Sequence, residues 1–289
     1  MAQRYIFSPD KHIGWERGNK KLLPIHDARS IGALMAFAAD FQPDVWIEGG
    51  DNLDCGPVSH WLQDKKLSLN NLDLSRDTEA YTALVLDPLR QLTSIKQKYW
   101  MIGNHEMWLT QLAEKHPGIQ RVLNVKNLLD LDDWTVVPQG GHVKLGKLYF
   151  IHGDTLPNTK SMAEQAVIRY EHSIRFGHFH TFQAATKYSA LDAKDVKTGV
   201  AVPGLCRRNP GYLAGRPNQW SQGFNWGYIH DDGTFTDYTT MIFTERRRDS
   251  TATMPPPFTL SSPRRWLLPP VGAKRIPSSV DPCRKRPGD

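Results

Sequence analysis

Long apolar runs and paired cysteines are both missing from this sequence of 289 residues. No apolar segment approaches the roughly 20 residues that a membrane-spanning helix requires, so we expect no membrane partner. The N-terminal residues enter a strand pattern at once and lack the apolar region of a signal peptide. The three cysteines, Cys55, Cys206 and Cys283, are odd in number and far apart, which favours a reducing compartment over a disulfide framework. We therefore expect a cytoplasmic protein.

The body of the chain also lacks an excess of charge of either sign. The net charge is +6, but residues 245–289 hold ten Lys and Arg against four Asp and Glu, so residues 1–244 carry 26 of each sign. Nine of the 20 prolines also lie in 245–289. Such a composition buries too little apolar surface to fold, so we predict one folded domain over 1–244 and a disordered Pro- and Arg-rich tail over 245–289. A read-through extension is the alternative interpretation of the tail.

Short apolar runs recur along the body, and most of them end in a polar loop. Strands are predicted at 5–7, 45–47, 99–102 and 173–176, a hairpin at 143–151, and helices at 28–41, 75–97 and 161–171. Residues 182–244 are rich in Thr, Tyr, Phe and Val with Gly turns, which is typical of strands. This order of elements predicts an α/β fold with two packed mixed sheets and helices outside.

Five polar clusters lie within the first 180 residues. They are Asp10-Lys11-His12, Gly50-Asp51-Asn52-Leu53-Asp54, Gly103-Asn104-His105-Glu106, His152-Gly153-Asp154 and Gly177-His178-Phe179-His180. Each cluster alone is a weak signal, because a single His is more often a core or surface residue than a ligand. Together they supply carboxylate, amide and imidazole groups. This mixed oxygen and nitrogen set suits Mn, Fe, Zn or Ni rather than Ca.

These clusters resemble, in order and residue type, the motif set of the calcineurin-like metallophosphoesterases over residues 4–244. That family combines Asp-x-His, Gly-Asp-x-x-Asp, Gly-Asn-His-Glu/Asp, a further His and Gly-His-x-His. The resemblance implies a four-layer α/β/β/α sandwich of two mixed sheets flanked by helices, with residues 1–244 as the catalytic domain. It also implies two metal positions that share Asp51: one held by Asp10, His12, Asp51 and His180, the other by Asp51, Asn104, His152 and His178.

The resemblance further implies two divalent ions, with Mn as the first choice and Fe, Zn, Ni or Co as alternatives. In such a site a metal-bridging hydroxide attacks the phosphate ester, and His105, which is not a ligand, protonates the leaving oxygen as the general acid. Asp54 would hydrogen-bond His105 and keep it oriented and protonated. We also expect Asp54 and Asp154 to orient the ligand imidazoles.

Two positions bear on the substrate. Ser/Thr protein phosphatases of this superfamily place Arg where this sequence has Cys55 and Ile102. A guanidinium grips a dianionic monoester through paired hydrogen bonds, so its absence favours less charged diesters. The expected function is a broad phosphoesterase that prefers phosphodiesters, with a nucleotide or nucleic acid as a candidate substrate. The alternatives are a phosphomonoesterase similar to Ser/Thr protein phosphatases, and a non-catalytic scaffold, which the complete ligand set disfavours.

Four side chains are candidates for contact with the substrate. His60 and Trp61 lie in the long segment 55–74, which could form a lid. Tyr212 and Trp220 lie in a stretch that resembles phage and bacterial metallophosphoesterases of unassigned substrate, and they could stack on a base or an aryl group. For Tyr212 and Trp220, the alternative interpretation is that they are ordinary core or loop aromatics.

Overall fold

The computed structural model describes residues 2–19, 21–60, 62, 65–69, 71–192 and 195–243. The strands within them are β1 (Gln3–Ser8), β2 (Trp15–Arg17), β3 (Leu22–Pro24), β4 (Val45–Glu48), β5 (Gln97–Met101), β6 (Thr135–Val137), β7 (Val143–Leu145), β8 (Leu148–Ile151), β9 (Ser173–Phe176), β10 (Gln183–Tyr188), β11 (Val196–Ala201), β12 (Gly223–Ile229) and β13 (Phe235–Met241). The α-helices are α1 (Ala28–Phe41), α2 (Lys66–Leu69), α3 (Leu74–Tyr81), α4 (Asp87–Arg90), α5 (Met107–Lys115), α6 (Val125–Leu128) and α7 (Met162–Tyr170). Trp61 and the predicted tail over 245–289 lie outside the described residues.

The first sheet has six strands in the order β13-β12-β1-β4-β5-β6. The strands β1, β4, β5 and β6 are parallel, whereas β12 and β13 pair in antiparallel fashion. Side chains of β1 alternate between two cores: Ile6 packs with Ile31 and Leu34 of α1, whereas Tyr5 and Phe7 face the opposite side. Because successive strand residues point to opposite faces, an apolar run with both faces buried indicates a sheet covered on both sides.

The second sheet has five strands in the order β10-β11-β9-β8-β7, with β8, β9 and β11 parallel and the two edge strands antiparallel. Phe150 of β8 packs against Tyr5 and Phe7 of β1, with ring centroids 5.1 and 5.2 Å apart, so the two sheets stack face to face. Ala163 and Ala166 of α7 cover the outer face. The predicted α/β/β/α layering is confirmed.

The helix predicted over 28–41 is confirmed with the same bounds. The helix predicted over 75–97 begins at Leu74, passes through a π-helical turn at Thr82–Leu86 and ends at Arg90, seven residues early. The reason is the next strand: the N–H groups of Lys96 and Gln97 both donate to the carbonyl oxygen of Asp44, which brings the chain into β5. No helix in the described part of the chain has the length and apolar character needed to cross a bilayer.

The arrangement of parallel strands positions the predicted ligands. Within the first sheet, β1, β4 and β5 are followed by the loops of Asp10, Asp51 and Asn104. Within the second, β8 and β9 are followed by those of His152 and His178. Since parallel strands present their carboxyl ends at one edge of a sheet, the loops that follow them emerge together there.

Candidate metal centre

Asp10 and His12 lie in the loop after β1. Main-chain hydrogen bonds hold this loop against the loop after β4: Asp10 N–H donates to the Gly50 carbonyl at 3.0 Å, and His12 N–H donates to the Asp51 carbonyl at 2.9 Å. The main chain alone therefore fixes the relative position of the first three predicted ligands.

Asp10, His12 and His180 form the first candidate ion position. Their ligand atoms all lie within 4.8 Å of one another. The Nε2 atoms of His12 and His180 are 3.2 Å apart, and Asp10 Oδ1 is 3.6 Å from His180 Nε2. All three side chains are buried, and Asp10 Oδ1 has no hydrogen-bond partner. A buried carboxylate oxygen without a partner is costly, and a cation among these three groups would compensate it.

Asp51, His152 and His178 form the second candidate position, again with ligand atoms within 4.8 Å of one another. His152 Nε2 lies 3.3 Å from Asp51 Oδ2 and 3.2 Å from Asn104 Oδ1, and His178 Nδ1 is buried without a hydrogen-bond partner. Asp51 Oδ2 is also 3.7 Å from His12 Nε2, so a single carboxylate oxygen borders both positions. The residues present therefore fit divalent ions of intermediate softness.

Left-handed backbone is concentrated at these ligands. Five of the seven predicted ligands have φ between 45° and 69°: Asp10, His12, Asp51, His178 and His180. For residues other than Gly, such a conformation costs on the order of 1–3 kcal/mol each and persists only where the surrounding structure enforces it. Because strained backbone recurs at the ligands, we infer that holding these side chains in place lowers the stability of the fold.

Two of the ligand imidazoles have strong acceptors at the nitrogen that faces away from the ion positions. His152 Nδ1 lies 2.9 Å from the Gly49 carbonyl oxygen, and His12 Nδ1 lies 3.3 Å from Asp54 Oδ1. Such partners fix the ring orientation and the tautomer of a ligand His. Asp54 therefore lies where it can orient the ring of His12.

His180 has a different kind of partner: its Nδ1 lies 3.2 Å from Cys206 Sγ. Sequence analysis did not predict this contact, because the two residues are 26 positions apart and belong to no common motif. Burial raises the pKa of the Cys206 thiol well above its usual value, so the thiol is neutral. Asp154, the other expected orienting group, accepts a hydrogen bond from Gln139 in the loop after β6 at 2.6 Å. Burial lowers the pKa of the ligand His178, and the negative charge of Asp154 acts to raise it.

Glu106 has a positioning role that sequence reasoning missed. Its carboxylate is fully buried and accepts four main-chain hydrogen bonds. Oε1 accepts from Asn52 and Leu53 at 2.7 and 3.1 Å, and Oε2 accepts from Asp51 and Gly103 at 3.1 and 3.0 Å. One side chain thus joins the loop after β4 to the loop after β5.

His105 lies on the open side of the cluster, with 17% of its side chain exposed. Its Nδ1 is 2.8 Å from the main-chain oxygen of Asp54 and 3.6 Å from the Asp54 carboxylate. The predicted pairing of the two residues is present, but the hydrogen bond is with the carbonyl, because the carboxylate lies nearer to His12. The ring also packs against Trp108, with centroids 4.2 Å apart. Since Nδ1 faces Asp54, Nε2 is the nitrogen available to a substrate.

The carboxylates and imidazoles of the cluster shift one another's pKa values. Burial raises the pKa of Asp10 to about 8. Burial acts in the same direction on Asp51, but the charges of His152 and His105 outweigh it and hold the pKa of Asp51 well below its usual range. Burial would lower the pKa of His152, but the Asp51 carboxylate outweighs it and raises that pKa to about 10. For His105, burial likewise acts to lower the pKa, and the charges of Asp51 and Asp54 raise it overall.

Three of the four candidate substrate contacts lie beside this cluster. The ring of Trp220 is 4.0 Å from that of His180, and Tyr212 is 6.2 Å from Trp220. His60 contacts Trp108 edge-on at 5.7 Å. The fourth candidate lies outside the described residues. Trp220 and Tyr212 therefore border the ion positions on the side of His180, and His60 lies on the side of His105, where it contacts Trp108.

Comparison with known proteins gives one family and several distant relatives. A model of the calcineurin-like phosphoesterase family matches residues 24–196. The Gene 54 protein of Mycobacterium phage L5 is 24% identical over an alignment of 195 residues that covers 62% of this chain and 70% of that protein. Vps29 of Chaetomium thermophilum is 10% identical with a TM-score of 0.37, over 83% of this chain and 98% of that one. The same values hold for a dimetal phosphatase from Danio rerio. Nuclease MPE of Pseudomonas putida is 14% identical with a TM-score of 0.36, over 76% of this chain and 83% of that one.

The family match covers more than half of the chain and contains five of the seven predicted ligands. Asp10 and His12 precede the matched range, and the contacts of His12 with Asp51 and His180 join them to it. The chain belongs to the calcineurin-like phosphoesterase family.

Proposed function

We propose that this protein is a two-metal phosphoesterase of broad specificity that prefers phosphodiesters. The observation that carries the proposal is the convergence of seven buried or half-buried ligand side chains on one edge of the stacked sheets. Asp10, His12, Asp51 and His180 would hold one ion, and Asp51, Asn104, His152 and His178 the other. When bound, two divalent ions supply charge neutralisation at the phosphoryl group and lower the pKa of a bound water. Mn is our first choice for both positions.

His105 acts on the leaving group in this proposal. Its Nδ1 is occupied by the Asp54 carbonyl at 2.8 Å, so its Nε2–H is free to donate a proton to the departing oxygen. The Trp108 ring limits movement of the imidazole. The raised pKa of His105 keeps the ring protonated at a pH where an unperturbed His would have lost part of its charge. A positioned general acid contributes typically ~10²–10⁴-fold to the rate.

The preference for diesters rests on two neutral positions. Cys55 is fully buried, and burial raises the pKa of its thiol well above the usual value, so it adds no positive charge. Ile102 lines a cavity of 420 Å³ beside α5, together with Met107 and Leu109. A guanidinium at either position would add a bidentate contact for a dianionic monoester. Without it, the positive charge at the substrate comes from the ions and from protonated His105, which suits the single charge of a diester.

Trp220, Tyr212 and His60 are the proposed contacts for the remainder of the substrate. Trp220 is held in place from three directions: its N–H donates to Asn218 at 2.9 Å, its carbonyl accepts from Arg208 at 3.0 Å, and its ring lies on His180. An aromatic ring fixed beside an ion position can stack on a base, which supports nucleotides or nucleic-acid ends as substrates.

The test compares bis-(p-nitrophenyl) phosphate with p-nitrophenyl phosphate in the presence of Mn²⁺, with chelator controls. We expect a higher kcat/KM for the diester, and no turnover after the ions are removed. His105→Ala should lower kcat by roughly 10²–10⁴-fold, whereas His230→Ala, an exposed His on the far hairpin, should leave it unchanged. A kcat/KM that strongly favours the monoester would replace this proposal with a phosphomonoesterase. Undiminished turnover by the ion-free protein would exclude both.

A further inference from the structure

The segment 204–206 lies against the first ion position through both main chain and side chain. The N–H groups of Leu205 and Cys206 donate to the carbonyl oxygen of Asp10 at 2.8 and 3.1 Å. A Cβ added at Gly204 would lie 2.9 Å from Asp10 Cβ, so the segment packs directly on that ligand. The thiol of Cys206 is 3.2 Å from His180 Nδ1. The segment 204–206 therefore contacts two ligands of the first ion position, Asp10 and His180.

The thiol has a defined chemical role if His180 binds an ion. The ring nitrogen that faces Asp10 and His12 is Nε2, which must be unprotonated to donate its lone pair. The proton then resides on Nδ1, and Nδ1–H donates to Cys206 Sγ. Sulfur is a weak acceptor compared with the carbonyl and carboxylate that face His152 and His12. Of the three ligand imidazoles whose outer nitrogen has a hydrogen-bond partner, His12, His152 and His180, His180 therefore has the weakest acceptor.

We infer that Cys206 is a positioning residue for the ion at the Asp10–His12–His180 position, and that it sets the affinity of that ion separately from the affinity of its neighbour. The unpartnered Asp10 Oδ1, fully buried and directed at the same position, independently indicates that a cation belongs there. The inference rests on the proposed two-ion site. It adds that the two positions are unequal, because a thiol supports His180, whereas oxygen atoms support His12 and His152.

The experiment uses the full chain, stripped of ions with chelator and titrated with Mn²⁺ by calorimetry. Cys206→Ala removes the acceptor, and Cys206→Ser restores one. Cys55→Ala is the matched control, since Cys55 is also a buried thiol but makes no hydrogen bond to a ligand imidazole among the described residues. Should Cys206→Ala fail to fold, Cys206→Val fills the space of the thiol with a slightly larger side chain and still lacks the acceptor. Co²⁺ absorption spectra report the geometry of each position without any assay of turnover.

We expect the wild-type protein to bind two ions. Cys206→Ala should weaken one of them by roughly 10–100-fold, the usual effect of losing a hydrogen-bond partner of a ligand His, and leave the other unchanged within about threefold. Cys206→Ser and Cys55→Ala should keep both affinities. Wild-type affinities in Cys206→Ala, or equal weakening of both ions, would overturn the inference while leaving the two-ion site intact. A wild-type protein that binds no ion would instead refute the proposed function itself.

Discussion

The Arg175–Asp237 network and the ligand cluster are both buried and both polar, but their hydrogen bonds are completed in different ways. Arg175 of β9 donates to Asp237 of β13 at 2.6 and 2.8 Å, which ties the second sheet to the first. Asn225 donates to the same carboxylate at 2.9 Å and accepts from the Tyr5 hydroxyl at 3.1 Å. None of these four residues has a left-handed backbone.

The ligand cluster has the opposite character. Asp10 Oδ1 and His178 Nδ1 are buried without a partner, and most of the ligands have strained backbone. A network that serves the fold satisfies its own polar groups, because each unsatisfied one costs about 1–3 kcal/mol. Single buried atoms elsewhere, such as Trp100 Nε1, also lack a partner. What distinguishes the ligand cluster is that its unpartnered atoms belong to groups of converging ligand atoms with left-handed backbone, which is the arrangement expected for a group that arrives from outside. This difference separates a stabilising polar cluster from a functional one within the same protein.

The largest expected effect is a loss of activity in the ligand cluster that is not accompanied by an equal loss of unfolding free energy. Asp10→Asn removes a ligand charge, and two-ion catalysis contributes several kcal/mol, so kcat should fall by roughly 10³- to 10⁴-fold. The ion-free protein should keep its stability within about 1 kcal/mol, because the pKa of Asp10 is raised to about 8 and the side chain is already neutral at pH 7. Urea unfolding in chelator, beside steady-state assays, measures both. A large loss of stability in Asp10→Asn would remove the distinction between the two regions.

In the Arg175–Asp237 network we expect the opposite: a large loss of unfolding free energy and no change in ion affinity. Arg175→Met leaves the Asp237 carboxylate, which is 14% exposed and keeps its hydrogen bond from Asn225, without its charged partner. The loss should cost up to about 3–5 kcal/mol of unfolding free energy. The double variant Arg175→Met with Asp237→Leu should recover most of that loss, since no unpaired charge remains. Ion affinity per folded molecule should not change in either variant. Reduced ion binding by the folded Arg175→Met protein would show that the two regions are coupled.

A smaller effect is expected at Glu106. This residue lies in the ligand cluster, but its hydrogen bonds are satisfied, like those of the Arg175–Asp237 network. Each oxygen accepts from two main-chain N–H groups, so Glu106→Gln must place an amide NH₂ against two donors in either orientation. We expect a stability loss of about 1–3 kcal/mol and ion affinity lowered by roughly 10–100-fold. Glu114→Gln, on the exposed face of α5, is the control. Unchanged ion affinity would make Glu106 a purely structural residue.

The pH dependence of ion binding provides a fourth test. In the ion-free protein the pKa of Asp10 is raised to about 8 and that of His152 to about 10, so both hold a proton at pH 7. An ion binds only the deprotonated ligands, so binding should release protons and strengthen as pH rises, by up to about tenfold per pH unit for each proton. Calorimetry at pH 7 in two buffers of different ionisation enthalpy counts the protons. A binding enthalpy independent of the buffer would contradict the assignment of these two ligands.

Residue order predicted much of the site, because the five clusters are local. A strand followed by Gly and a ligand is visible in the sequence, and so is the helix over 28–41, whose apolar residues recur at spacings of 3 and 4. The two-core alternation of β1 likewise follows from an apolar run with no polar face. These features depend on neighbours in the chain, which a sequence displays directly.

Contacts between distant segments could not be predicted in this way. Cys206 meets His180, and Glu106 meets the loop of Asp51, through backbone paths that no periodic pattern encodes. The carboxylate of Asp54 lies nearer to His12 than to His105 for the same reason: its direction depends on how three loops pack. The left-handed conformations of the ligands also arise from that packing.

The smallest effect is expected at the Arg4–Asp44 ion pair, whose arginine is more exposed than that of the Arg175–Asp237 pair. Arg4 and Asp44 repeat the chemistry of the sheet-joining pair, at 3.3 Å, but 36% of the Arg4 side chain is exposed. Asp44→Asn should therefore cost less than about 1 kcal/mol at pH 7. The hydrogen bonds and charge of Arg4 outweigh the opposing effect of burial and lower the pKa of Asp44 below its usual value. A depressed pKa stabilises the fold above the pKa of the unfolded chain, near 3.9, and this contribution is lost as pH falls through the pKa of the folded state. The stability difference between wild type and Asp44→Asn, measured by urea unfolding from pH 7 to pH 3, should thus shrink only below about pH 4.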